Sequence, residues 1–142
     1  MPYPIVSGLR SIEFGSPGRL RSELTALVLA RKKRATASLL SEYEDEGEVV
    51  EHIGERLAVI DNDARHVATI EVTRVETLRL DQVPDGFALA EGEGDLNAAD
   101  FRAGHLRYWS REGKAVSDST PVVTLYFDLV EECRGDGGGR RL

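Results

Sequence analysis

One cysteine, one methionine, one tryptophan and three histidines are all that 142 residues hold of those types. A single thiol, Cys133, can close no internal disulfide and build no cysteine-rich zinc site, which points to a reducing cytoplasm. No base is suggested near Cys133, so it is read as incidental rather than as a nucleophile. No apolar run is long enough to cross a bilayer, and the opening Met1-Pro2-Tyr3-Pro4 lacks the charged-then-apolar pattern of a secretory signal. No membrane partner is therefore expected. Positive charge is also short: 18 basic against 25 acidic residues leave a formal −7. That balance excludes a general, salt-driven nucleic-acid binder but leaves room for a local basic cleft.

What is present suits one globular domain, with 41% hydrophobic and 30% charged residues. Much of the acid sits in Glu42, Glu44, Asp45, Glu46, Glu48 and Glu51, read as a solvated loop; without it the remainder is nearly neutral. Residues 1–13, with two prolines and Gly8, read as a flexible lead-in. Residues 14–132 form the domain, and 133–142, rich in glycine and arginine, read as a disordered tail.

Ser16-Pro17 announces a helix, serine as N-cap and proline at the first helical position. Leu20, Leu24, Leu27 and Val28 follow at helical spacing, so one face should meet the core. Residues 36–40 read as a short strand and 57–60 as a buried one, closed by the turn Asp61-Asn62-Asp63. Residues 66–80 form the longest strand pattern. Ala68, Ile70 and Val72 share a face, Val75 falls out of step, and Leu78 and Leu80 return to it. Such a slip predicts a bulge or bend of the kind that curls a sheet into a barrel. Val123, Leu125, Phe127 and Leu129 alternate along a last strand. Between the strands lies a helix, opened by the capping pair Asn97 and Asp100 and stopped at Gly113. Phe101, His105, Tyr108 and Trp109 fall on one side of it, flanked by Arg102, Arg107 and Arg111.

The run Arg31-Lys32-Lys33-Arg34-Ala35-Thr36 puts four cations directly before a threonine, on an otherwise acidic chain. It reads as a phosphate-facing surface with a hydroxyl beside it. Two further segments complete a pattern: Ala90-Glu91-Gly92-Glu93-Gly94-Asp95, and the ending Pro121-Val122-Val123-Thr124-Leu125-Tyr126-Phe127. In this order and spacing the three resemble the ASCH family, a branch of the PUA-like superfamily. The family pattern is a Gly-x-Lys-x-x-Thr element, an acidic Glu-Gly-Glu-like turn, a helix with histidine and aromatics, and a phenylalanine strand. Here these fall at Lys33 and Thr36, Glu91 and Glu93, His105 with Tyr108, and Phe127.

The resemblance implies an α+β fold: a PUA-like, mostly antiparallel β-barrel with flanking helices and a cleft for RNA or a nucleoside. Some relatives are amidohydrolases that cleave acetylcytidine through a lysine, a threonine and a glutamate; others are assigned ribonuclease activity. Carried over by motif, those three roles fall on Lys33, Thr36 and Glu93. Arg31, Arg34, Glu91, His105 and Tyr108 are the expected substrate contacts. Two departures stand out. Arg31 replaces the family's usual glycine, so a left-handed turn there would carry a steric cost of roughly 1 kcal/mol. The leucine-proline pair usual before the glycine matching Gly54 is replaced by residues 50–53.

The chemistry is coherent. A threonine hydroxyl needs a base to take its proton, a lysine out of water can do so, and a glutamate can protonate a leaving amine. The plain alternative is a solvated Lys33 and a Thr36 that merely opens a strand. Glu91, Glu93 and Asp95 could also bend around Mg²⁺ or Ca²⁺. No metal site or cofactor is assigned, however, because acids separated by glycines are more often an exposed turn. His105 and Tyr108 carry polar tips that could line a cleft, whereas Phe101 and Trp109 read as core. Function divides three ways: a hydrolase acting on RNA or a modified cytidine, a non-catalytic RNA-binding module in translation or transcription control, and an interaction scaffold. The oligomeric state is not legible.

Overall fold

A computed structural model describes residues 3–133. Its centre is two long strands, β5 (His66–Arg79) and β6 (Pro121–Glu132), paired antiparallel over most of their length. Around them run β1 (Ile5–Val6), β2 (Leu9–Ile12), β3 (Ala35–Leu39) and β4 (Arg56–Ile60). The sheet order is β1-β2-β4-β5-β6-β3, with β2 and β4 parallel and every other pair antiparallel. The helices are α1 (Arg19–Leu29), α2 (Leu40–Glu46), α3 (Asp85–Ala90) and α4 (Ala98–Arg111), with one 3-10 turn at Leu80–Gln82.

The period-2 pattern of β6 sorts the core into two layers. Val123, Leu125 and Phe127 meet Leu24 and Val28 of α1, together with Phe14, Leu57, Val59, Ile70 and Val72. Val122, and with it Tyr126, turns to the other face, where Ala35, Leu39, Phe87, Phe101 and Trp109 gather under α3 and α4. The bulge expected near Val75 is present: the β5–β6 register shifts between Thr69 and Ile70 and again between Val72 and Arg74.

The sheet does not close into a barrel. Closure would need the β1–β2 edge to pair with β3, and β1 offers only two residues. The gap between those edges stays open instead, with Ile12 and Glu13 on one side and residues 36–38 on the other, and it holds the cleft described below.

Three other expectations are corrected. The lead-in is folded into the sheet, since Ser11 and Ile12 pair with Ala58 and Val59, and Phe14 is fully buried. The reason is Arg10, whose guanidinium reaches Glu48, Glu55 and the Val49 carbonyl at 2.6–3.1 Å. The acidic stretch is not a solvated loop. Residues 40–46 form α2, Glu48 accepts from the Tyr3 amide, and Glu51 is buried against the Tyr43 hydroxyl at 2.7 Å. Helix α1 starts two residues after Pro17, with Gly18 as its N-cap at φ 103° and no side-chain cap. The Asn97 cap is as read: its Oδ1 accepts from the Asp100 amide at 2.9 Å. Of the expected tail, residues 134–142 lie outside the described ones. Among the described residues, no helix is long and apolar enough to cross a membrane.

Candidate functional site

The basic run leaves α1 through a left-handed residue. Arg31 has φ 62°, where glycine would sit without strain, and its guanidinium is tethered to the Leu129 carbonyl at 3.1 Å. The turn reverses the chain so that Lys33 points inward while Arg34 points away. Lys33 is 2% exposed, with Nζ 5.8 Å above the ring centroid of Phe14. A buried ammonium must find acceptors. Nζ donates to Glu93 Oε2 at 2.5 Å and to the Ala35 carbonyl at 2.8 Å, and it lies 3.6 Å from Glu91 Oε2.

The acidic turn reaches this lysine because Gly92 lets it. Gly92 sits at φ 69°, and a Cβ there would fall 2.1 Å from the Lys32 carbonyl oxygen. Only a residue without a side chain permits this approach. The Arg34 amide then donates to the Ala90 carbonyl at 2.7 Å, fastening the two motifs together.

Above the lysine opens a cleft of about 440 Å³. Alternation along β3 turns Ala35, Ala37 and Leu39 to the second core layer and leaves Thr36 and Ser38 facing the cleft. The Thr36 hydroxyl has no hydrogen bond to another described residue. Leu20, Arg21 and Leu24 of α1 form one wall, and Gly104, His105, Tyr108 and Arg111 of α4 the other. Arg21 is held by Glu13 and the Gly15 carbonyl at 3.0 Å.

Glu91, 1% exposed, closes the floor beside Glu93. Burial pushes its carboxyl up to about 8; Lys33 draws it down, while Glu93 and Asp95 push it further up. Its Oε1 lies 3.4 Å from His105 Nε2 yet has no hydrogen-bond partner. The His105 ring stacks on Phe101 at 4.0 Å, and its Nδ1 is 3.0 Å from the Phe101 carbonyl. A carbonyl can only accept, so Nδ1 carries the proton and Nε2 keeps its lone pair. Burial holds the imidazole below its ordinary value, in keeping with a neutral ring.

Of the eight residues singled out in the sequence, five line this cleft, namely Thr36, Glu91, Glu93, His105 and Tyr108, and Lys33 reaches it through its contacts to Glu91 and Glu93. Arg31 and Arg34 do not. They line a separate cavity with Lys33, Val28, Phe127 and Leu129, reached through the left-handed turn at Arg31. Sequence reasoning missed Arg21, whose burial depends on folded partners, and the packing role of Gly92.

The model of the ASCH domain matches residues 10–131. The chain belongs to the ASCH domain family. This ASCH domain shares 28% identity with the ASCH domain from Lactobacillus crispatus JV V101, at a TM-score of 0.74 over 87% of this chain and 82% of that one. It shares 26% with protein EF3133 from Enterococcus faecalis V583, again at a TM-score of 0.74, over 84% of this chain and 75% of the other. No curated protein matches it. The family is associated with RNA binding.

Proposed function

We propose that this ASCH domain binds a modified ribonucleoside in the cleft and hydrolyses an exocyclic amide on its base. The observation that carries this reading is the enclosed Lys33–Glu93 pair beneath the cleft, next to the peptide that begins Thr36. In the reaction, Lys33 passes a proton to Glu93 Oε2 across their 2.5 Å contact and becomes a free amine. The amine takes the proton of Thr36 as Oγ1 attacks the carbonyl carbon. The carbon–nitrogen bond then breaks while Glu93 gives its proton to the departing exocyclic amine. Lys33 then passes its proton to Glu93 again, the free amine deprotonates a water as it attacks the acyl-threonine, and Glu93 protonates Thr36 Oγ1 as the carboxylic acid leaves.

Charge favours a nucleoside over a polymer. The cleft carries Glu13, Glu42, Glu93 and Asp95 against Arg21 and Arg111, a poor surface for phosphodiesters. The test is incubation with acetylcytidine and, separately, with short RNA. Release of cytidine and acetate, reduced at least about 100-fold in Thr36→Ala with nucleoside binding retained, is expected. No turnover by folded protein overturns the reading.

A second reading rests on the exposed cations Arg31 and Arg34, which line a cavity separate from the cleft, with Lys32 also exposed in the same run. They would serve a non-catalytic RNA-binding module. Its signature is binding that weakens with salt and survives Thr36→Ala.

A further inference from the structure

The hydrolytic scheme leaves one buried atom unused. Glu91 is almost wholly enclosed and lines the cleft, and its Oε1 has no hydrogen-bond partner among the described residues. Such an orphan calls for a ligand, an ion or a water. Its other oxygen is already turned to Lys33 at 3.6 Å, so Oε1 is the free donor.

Two further free donors face it. His105 Nε2 stands 3.4 Å away with its lone pair available. A carboxylate oxygen of Asp95 completes a trio whose atoms all lie within 4.8 Å of one another. We propose that Glu91, Asp95 and His105 hold a divalent transition-metal cation, zinc in the first instance, in the cleft beside α4.

Four features support zinc. The 3.4 Å edge between Glu91 Oε1 and His105 Nε2 matches the about 3.3–3.4 Å edge of a tetrahedron with zinc–ligand bonds near 2.0–2.1 Å. Asp95, partly exposed and next to Gly94 at φ 100°, can close the wider separation by side-chain rotation. The hydrogen bond from His105 Nδ1 to the Phe101 carbonyl is the outer contact that fixes metal-bound imidazoles. Charge also closes: Glu91, Glu93 and Asp95 balance Lys33 and one divalent cation.

An imidazole in the set disfavours Mg²⁺ and Ca²⁺, which prefer oxygen throughout. The trio also differs from the three acids that stand together in the sequence, because Glu93 is committed to Lys33 and His105 takes its place. Three protein ligands leave a coordination position open for a water or a ligand oxygen. This site shares the cleft with the hydrolytic reading without resting on it.

The test uses the full chain, stripped of metal and free of nucleoside. Titration with Zn²⁺ should give saturable 1:1 binding by calorimetry and a raised Tm, and Co²⁺ should give the visible bands of a low-coordinate site. Asp95→Asn and His105→Gln should each weaken Zn²⁺ binding at least about 10-fold, while Cys133→Ser leaves it unchanged. Asp95 lies outside the core, so Asp95→Asn decides the matter should His105→Gln fail to fold. No saturable binding, equal affinity in Asp95→Asn, or binding lost with Cys133→Ser would each overturn the site.

Discussion

Lys33 Nζ lies 2.5 Å from Glu93 Oε2 across sixty residues of sequence, and the lysine side chain is 1% exposed. The contact is the point where the basic run and the acidic turn become one structure. A buried charge left without its partner is expensive, whereas removal of both is often neutral. Glu93→Ala should therefore lower stability in urea by about 2–3 kcal/mol, less than a fully enclosed pair would, because Glu93 is 23% exposed. The double variant Lys33→Met/Glu93→Leu should recover most of that loss and still lack any turnover.

Gly92 and Gly94 make a matched pair. Both have positive φ, but a Cβ at Gly92 strikes the Lys32 carbonyl while one at Gly94 meets open space. Gly92→Ala should cost about 2–4 kcal/mol through strain and overpacking combined, and Gly94→Ala about 1 kcal/mol. Chemical denaturation of the two variants side by side checks the difference.

Glu91 should make the metal-free protein less stable as pH rises. Its folded carboxyl titrates near 8 and its unfolded one near 4.5, so the native state holds the extra proton between those values. Stability from this group is complete below about 4.5 and is lost as pH climbs toward 8. His105, held below its ordinary 6.5, acts in the opposite sense and costs stability as the solution is acidified below that value. Lys33, Glu93 and Asp95 also face the carboxyl. In chelator, Glu91→Gln should flatten the fall between pH 6.5 and 8, read by thermal melts across that range.

Arg31 should be dispensable to the cleft. Arg31→Gly relieves about 1 kcal/mol of left-handed strain, against one exposed hydrogen bond of similar size and added freedom in the unfolded chain. Its stability should stay within about 1 kcal/mol of the parent and nucleoside affinity should not change. A several-fold loss of affinity would return the guanidinium to the binding surface.

The legible parts of this fold are those whose cause is local. Alternation at Val123, Leu125 and Phe127, the slip near Val75 and the Asn97 cap all appear in the structure, because each depends on neighbours a few positions away. The order of motifs also led to the residues gathered around Lys33. What escaped depends on distant partners. Arg10 turns a proline-marked lead-in into a strand by reaching Glu48 and Glu55, and Tyr43 draws Glu51 out of water. Short helix α3 has no amphipathic repeat to announce it. The fate of Arg31 and Arg34 was hidden because one left-handed residue decides which cations of a run face inward.

Strand β3 ends the sheet, so one side of its backbone has no neighbouring strand. The Arg34 carbonyl turns toward β6, which directs the Ala35 carbonyl outward, and there Lys33 Nζ covers it. At the far end Glu42 accepts from the Leu39 amide. Both ends of this rim are thus already satisfied, and a stray segment from another molecule finds no continuous ladder to join. The ammonium beneath the cleft thus also covers one end of the open rim of the sheet.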